Sequence, residues 1–129
     1  MKKMFSLLIV VALFISVAVP VYAVDMTTDE RIAVATPLAD ELKAMGLFLG
    51  TNNGYELDRA PTRAEGLTMF LRLLGVENSA KTSTATHPFK DVPNWVDRNV
   101  AYAYANKLTS GISNTAFGSA NYVTSVQYI

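Results

Sequence analysis

The chain predicts an all-α fold built from helix-loop-helix repeats, and three observations point to it. In Arg59-Ala-Pro-Thr-Arg-Ala-Glu65, Thr62 is placed to N-cap a helix and Glu65 completes a capping box. Leu67, Phe70, Leu71 and Leu74 then recur on one helical face up to Gly75. The third observation is an internal repeat: Thr124 and Gln127 restate the box, and matching pieces lie upstream of each. Lys43 to Gly50 followed by Tyr55 parallels Tyr104 to Gly111 followed by Phe117, at a period of roughly 60 residues.

The elements follow in order. Lys2 and Lys3 precede an apolar run from Met4 to Val19, interrupted only by Ser6 and Ser16, and Val21-Tyr-Ala23 carries small residues at the positions that precede a cleavage site. Residues 1–23 therefore read as a secretory signal peptide. A retained anchor would also need an apolar run of about 17–25 residues, and Pro20 with the Val-x-Ala ending favours cleavage. Without the leader, Lys+Arg falls from 11 to 9 against 11 acidic residues, so the mature chain is near −2. That balance excludes a general polyanion binder, nucleic acid included. The absence of cysteine excludes a disulfide framework in an exported chain and suits a bacterial envelope.

After the leader, Thr27 and Glu30 are expected to cap a short helix through Val34. A second helix is expected to start with Thr36 as N-cap and Pro37 at the first helical position, with Leu38, Leu42 and Met45 on one face and Gly46 as the stop. Gly50-Thr-Asn-Asn-Gly54 is a turn by composition. Residues 77–86 are small and polar and read as an exposed linker between a first module, 24–76, and a second, 87–129. His87-Pro-Phe-Lys-Asp-Val-Pro93 places Phe89 and Val92 for packing ahead of a helix that carries Trp95, Val96, Val100 and Ala103. The last helix starts at Thr124 and has only six residues to Ile129, whereas isolated helices shorter than about 12–15 residues are marginal. The chain is expected to be the front part of a longer protein.

Arg63 stands one residue into a helix whose dipole disfavours cations, and an anionic partner would account for it. Amides at the helix start are expected to add to such a site. On its residues alone, Arg63 is equally a solvated side chain or a partner of Glu65 or Asp58. Trp95 is either a sugar platform or a partly buried anchor, and Asp91 either accepts sugar hydroxyls or caps a turn. His87, the only histidine, reads as a loop residue, with no convergent ligands that would make a metal site. Asn52 and Asn53 lack the spacing and the lysine of a phosphate loop. No pair of opposed carboxylates and no nucleophile with an adjacent base is evident, so no enzyme activity is expected.

Phe89-x-Asp91-Val92-Pro93-x-Trp95, Leu47-Phe-x-Gly50, Tyr55-x-Leu57-Asp58-Arg59-Ala-Pro-Thr62-Arg63-Ala-Glu65 and Leu71-Arg72-Leu-Leu-Gly75 resemble the motifs of the S-layer homology family of bacterial wall-anchoring modules. The resemblance runs from about Leu38 to Ile129. It implies modules that usually come in threes, each giving a helix to a pseudo-threefold three-helix bundle, incomplete here. It also implies grooves that bind a pyruvylated secondary cell-wall polysaccharide linked to peptidoglycan, at the cell wall or surface. Carried over by position, Arg63, Asp91, Trp95 and the capping Thr62 are the polysaccharide-binding residues. Pairing with other such modules is a further implied partnership, and neither a cofactor nor a membrane contact after cleavage is implied. The first module lacks the opening motif and the second has Ser125 in place of an arginine, so one groove between Arg63 and the Asp91/Trp95 side is expected. The alternative is a structural or assembly module without carbohydrate binding, with Tyr102, Tyr104 and Tyr128 as candidate contacts.

Overall fold

The computed structural model describes residues 25–123. The leader expected over 1–23 and the second box at Thr124 and Gln127 lie outside them. Within the described residues the protein is all-α, with helices α1 (Thr28–Ala44), α2 (Arg63–Leu73), α3 (Glu77–Lys81) and α4 (Asp97–Ala105) and no strand beyond two isolated bridges. No described helix is long and apolar enough to cross a membrane.

Helix α1 opens on the box that Thr27 and Glu30 were expected to form: Thr27 Oγ1 accepts from the Glu30 amide at 3.3 Å, and the Thr27 amide donates to Glu30 Oε2 at 2.8 Å. The expected break before Pro37 does not occur, and the helix runs through it as one element. Thr36, read as an N-cap, instead turns its hydroxyl back to donate to the Ile32 carbonyl at 2.7 Å, a mid-helix use of the side chain. Pro37 costs one intrahelical bond, and the turns on either side carry the helix across that gap.

The three longer helices end alike. After α1, Gly46 adopts φ +74°, its amide donates to the Lys43 carbonyl, and the Leu47 amide reaches the Leu42 carbonyl at 2.9 Å. Gly75 and Lys107 repeat this closure after α2 and α4, with the Val76 and Leu108 amides reaching Leu71 and Ala103. Lys107 therefore holds a left-handed position, φ +59°, that the first repeat gives to glycine.

The expected linker over 77–86 is partly helical. Glu77 anchors α3 by pairing with Arg72 and Lys81, each at 3.1 Å, and Ala80 is fully buried. Charge pairing and one buried methyl give this polar stretch a folded role that its composition hides. Helices α2, α3 and α4 pack together. Phe89, Val96, Val100, Phe117 and Ala64 form the core, with Leu67 and Val92 against it. On α2 the expected stripe is rotated: Leu71 is buried, Phe70 half-buried and Leu74 exposed, while Ala64, Gly66 and Thr68 take inner positions. Asn99 of α4 satisfies its buried amide by donating to Thr68 Oγ1 at 3.3 Å.

Candidate functional site: a groove beside Trp95

Two loops related by the repeat place the candidate residues. In the second, Gly111 at φ +75° lets the backbone pass against Phe89; a Cβ there would come within 2.5 Å of that ring. Phe117 then inserts into the core and meets Phe89 at 5.9 Å between centroids. Asp91 fixes this loop. Its carboxylate accepts from the amides of Phe117 and Gly118 at 2.7 Å each and of Ser119 at 3.4 Å. Desolvation pushes the Asp91 carboxyl up, but these backbone bonds together outweigh it and hold the group below its ordinary 3.8. Of the two roles open to Asp91, the loop-capping one is visible in the structure.

Thr62 is engaged too. Its hydroxyl accepts from the Glu65 amide at 3.3 Å, and its own amide donates to Glu65 Oε2 at 2.7 Å. The amides at the start of α2, expected to help hold an anion, are taken by the second loop: Arg63 N–H donates to the Asn121 carbonyl at 2.7 Å and Ala64 N–H to Ser119 at 3.2 Å. Chain 121–123 runs beside 61–63, closed by the Thr62–Tyr122 bridge, so a backbone neighbour occupies the place where an anion would sit.

Arg63 pairs with neither Glu65 nor Asp58. Its guanidinium lies over the Phe117 ring, 5.2 Å from the centroid, with one long bond from Nη2 to Thr109 Oγ1 at 3.5 Å. Its buried Nε has no acceptor among the described residues. The cation that sequence reading missed is Arg59. It forks onto Glu65 at 2.8 Å through both Nη atoms and holds Glu56 at 3.0 Å through Nη2. Glu65 is held down to about 2, first by Arg59 and then by the Thr62 bonds, against desolvation. The fork needs the loop to fold back over the helix start, and Arg59 Nη1 also caps the Ala60 carbonyl at 3.2 Å. A run of Glu56, Arg59 and Glu65 was the signal available in the sequence.

Trp95 is 61% exposed in the turn ahead of α4, rather than inside that helix. It lines a groove of about 260 Å³ whose other walls come from the first loop and α2, among them Leu49, Tyr55, Arg59, Met69 and Arg72. Both arginines in this groove are already matched, Arg59 by two carboxylates and Arg72 by Glu77 at 3.1 Å. Arg63 and Asp91 do not line it. The structure thus brings Arg63 to the ring and Asp91 to the amide of one residue, Phe117, and puts Trp95 in a separate groove. His87, read as a plain loop residue, is a brace. Its Nδ1 accepts from the Phe89 amide at 3.1 Å, which leaves Nε2 to donate to Asp97 at 3.2 Å, and its ring stacks on Phe89. No group of three or more potential metal ligands occurs among the described residues.

The chain is 31% identical over 129 residues, 96% of its length, to a surface layer protein of Brevibacillus choshinensis. It is 30% identical over 131 residues to a middle cell wall protein of Brevibacillus brevis strain 47. Its relatives include proteins of the bacterial surface. A third, 29% identical over 139 residues, is an endoglucanase of Bacillus sp. strain KSM-635. The chain spans only 12% of the first two proteins and 14% of the third. No protein-family model and no solved structure matches it.

Proposed function

We propose that the chain is a wall-anchoring module of the S-layer homology kind, which holds an exported protein at the bacterial surface by binding an acidic, pyruvylated secondary cell-wall polysaccharide. The observation that carries this reading is the exposed Trp95 at the mouth of a groove walled by the other repeat. An indole left in water beside a 260 Å³ groove is a stacking platform for a sugar face. Arg63 supplies a second contact outside the groove, since its guanidinium is held by a ring and one long bond and keeps donors for a carboxylate. Asp91 and Thr62 serve as scaffold, because their oxygens already accept from the backbone. The surface-layer and wall-protein relatives support the location. The reading gives this chain no catalysis of its own: Glu65 is bound into a cap and an arginine fork.

The test is sedimentation of the full chain with purified wall sacculi, before and after acid extraction of the polysaccharide. Binding that is lost on extraction, and lost in Trp95→Ala, is the expected result. Binding that survives both would sink the reading.

A specific observation favours a second reading, an assembly module. Val34, Leu38 and Leu42 of α1 and Met45 at its C-terminal cap are between 39% and 66% exposed along one face. Tyr104, a candidate for such contacts, already packs edge-on against Phe89, and Tyr102 is half-buried; Tyr128 lies outside the described residues. Retention on extracted sacculi with loss in Leu38→Glu would favour assembly.

A further inference from the structure

The two loops of the repeat are built alike but finished differently. Gly50 and Gly111 take φ +73° and +75°, and Thr51 and Ile112 then close short turns onto the carbonyls of Gly54 and Ala116, at 2.7 and 2.9 Å. Tyr55 corresponds to Phe117 and Glu56 to Gly118, and both members of the second pair sit in the left-handed region, φ +51° and +80°. Glutamate has no conformational reason to be left-handed, so the position is set by the shape of the loop. In the second loop this shape gathers the amides of Phe117, Gly118 and Ser119 around one carboxylate, that of Asp91. Consecutive amides turned through a left-handed residue make a concavity suited to an anion.

The first loop has the corresponding amides on Tyr55, Glu56 and Leu57, and among the described residues none of them has an acceptor. The part of the chain that would supply a counterpart of Asp91 is helical, being the start of α1. The Glu56 carboxylate does not cap these amides; it accepts instead from Thr51 Oγ1 at 2.6 Å and from Arg59 Nη2 at 3.0 Å. All three residues line the groove that Trp95 enters. The arginines of that groove are paired with Glu56, Glu65 and Glu77, so their charges are already balanced there.

We infer that the amides of Tyr55, Glu56 and Leu57 are the seat for the carboxylate of an acidic sugar whose ring lies on Trp95, the place that Asp91 fills in the second loop. The inference rests on the polysaccharide reading and refines it: recognition of the acid in the groove is by neutral backbone donors and not by a cation. Such a seat distinguishes a carboxylate from a neutral sugar without requiring a basic surface, which suits a chain with no excess of basic residues.

The experiment is a titration of the uniformly 15N-labelled full chain with a methyl hexoside carrying a 4,6-pyruvate ketal, alongside the methyl ester of the same compound. Trp95 is the only tryptophan, so its fluorescence reports ring stacking independently. Expected is a downfield shift of the Tyr55, Glu56 and Leu57 amide protons with the acid only, and binding at least tenfold weaker for the ester. Equal binding of acid and ester at Trp95 would overturn the carboxylate seat while leaving the sugar platform standing. So would acid-specific binding that moves the Arg63 side chain and leaves these three amides in place. No response of Trp95 to either compound would overturn both readings.

Discussion

Arg59 holds Glu65 through a two-pronged fork, Nη1 to Oε2 and Nη2 to Oε1, both at 2.8 Å. The capping box of α2 therefore has a third member from the preceding loop. Arg59→Ala is expected to lower stability by about 1–2 kcal/mol, since bonds to charged groups are worth roughly 1.5–3 kcal/mol and partial exposure screens these. Arg59→Lys should recover little of that, because an ammonium has no fork. Urea unfolding monitored by circular dichroism measures both, and an Arg59→Ala midpoint equal to the parent's would contradict the role.

The same pair sets an acid limb. Glu65 is depressed from 4.5 to about 2 in the folded chain, so it contributes stability above the ordinary carboxylate value, and this contribution is lost as pH falls through about 2. Between pH 5 and 2 the parent should lose more stability than Glu65→Gln, which lacks the titrating group. Parallel curves for the two would rule out this linkage.

Removing the carboxylate of Asp91 leaves backbone donors under-satisfied. Asp91→Asn is expected to cost about 1–3 kcal/mol and to shift the Phe117 and Gly118 amide resonances, while α2 stays capped. Unchanged resonances would mean that the loop stands without it.

Three left-handed positions give a graded series. Gly111→Ala should prevent the native packing, because the new methyl would meet Phe89 at 2.5 Å and the Ala116 carbonyl at 2.7 Å. Gly46→Ala meets nothing within 4 Å and should cost only the conformational penalty, about 1–2 kcal/mol. Lys107→Gly relieves a strained residue and should stabilise by about 0.5–1 kcal/mol. Thermal melts order the three, and a destabilised Lys107→Gly would refute the assignment of strain.

Arg63→Ala should cost about 0.5–1 kcal/mol of stability through its loss from the Phe117 face. It should weaken sacculus binding by about 1.5–3 kcal/mol if it contacts the polymer as a charged donor. Ser125→Arg is expected to be neutral or to add binding. Full binding by a folded Arg63→Ala would remove this arginine from the site.

The parts of the fold that were legible in the sequence are those set by neighbours along the chain. The boxes at Thr27 and Thr62 need only a residue three positions on, and Gly46 and Gly75 end helices by their own backbone freedom. Helix α3 was not legible, because a polar run such as Glu77 to Lys81 becomes helical through Arg72 and the burial of Ala80. Pro37 misled for the converse reason: a local rule for helix starts met a helix already under way from Thr28. At the site, residue types identified Trp95 as a candidate, but only the folded loops show that Arg59 is matched, Asp91 is engaged and three amides of the first loop are not.

The bonds from Arg63 and Ala64 to Asn121 and Ser119, with Val123 N–H on the Pro61 carbonyl, bear on the order in which the molecule can assemble. Helix α2 gains its local box as soon as Glu65 is made, yet its first two amides wait for chain about 60 residues further on, and closures that distant slow folding. During synthesis the first repeat remains provisional until the second has arrived. Although each repeat reads as a separate module along the sequence, the two are expected to form, and to melt, in a single step.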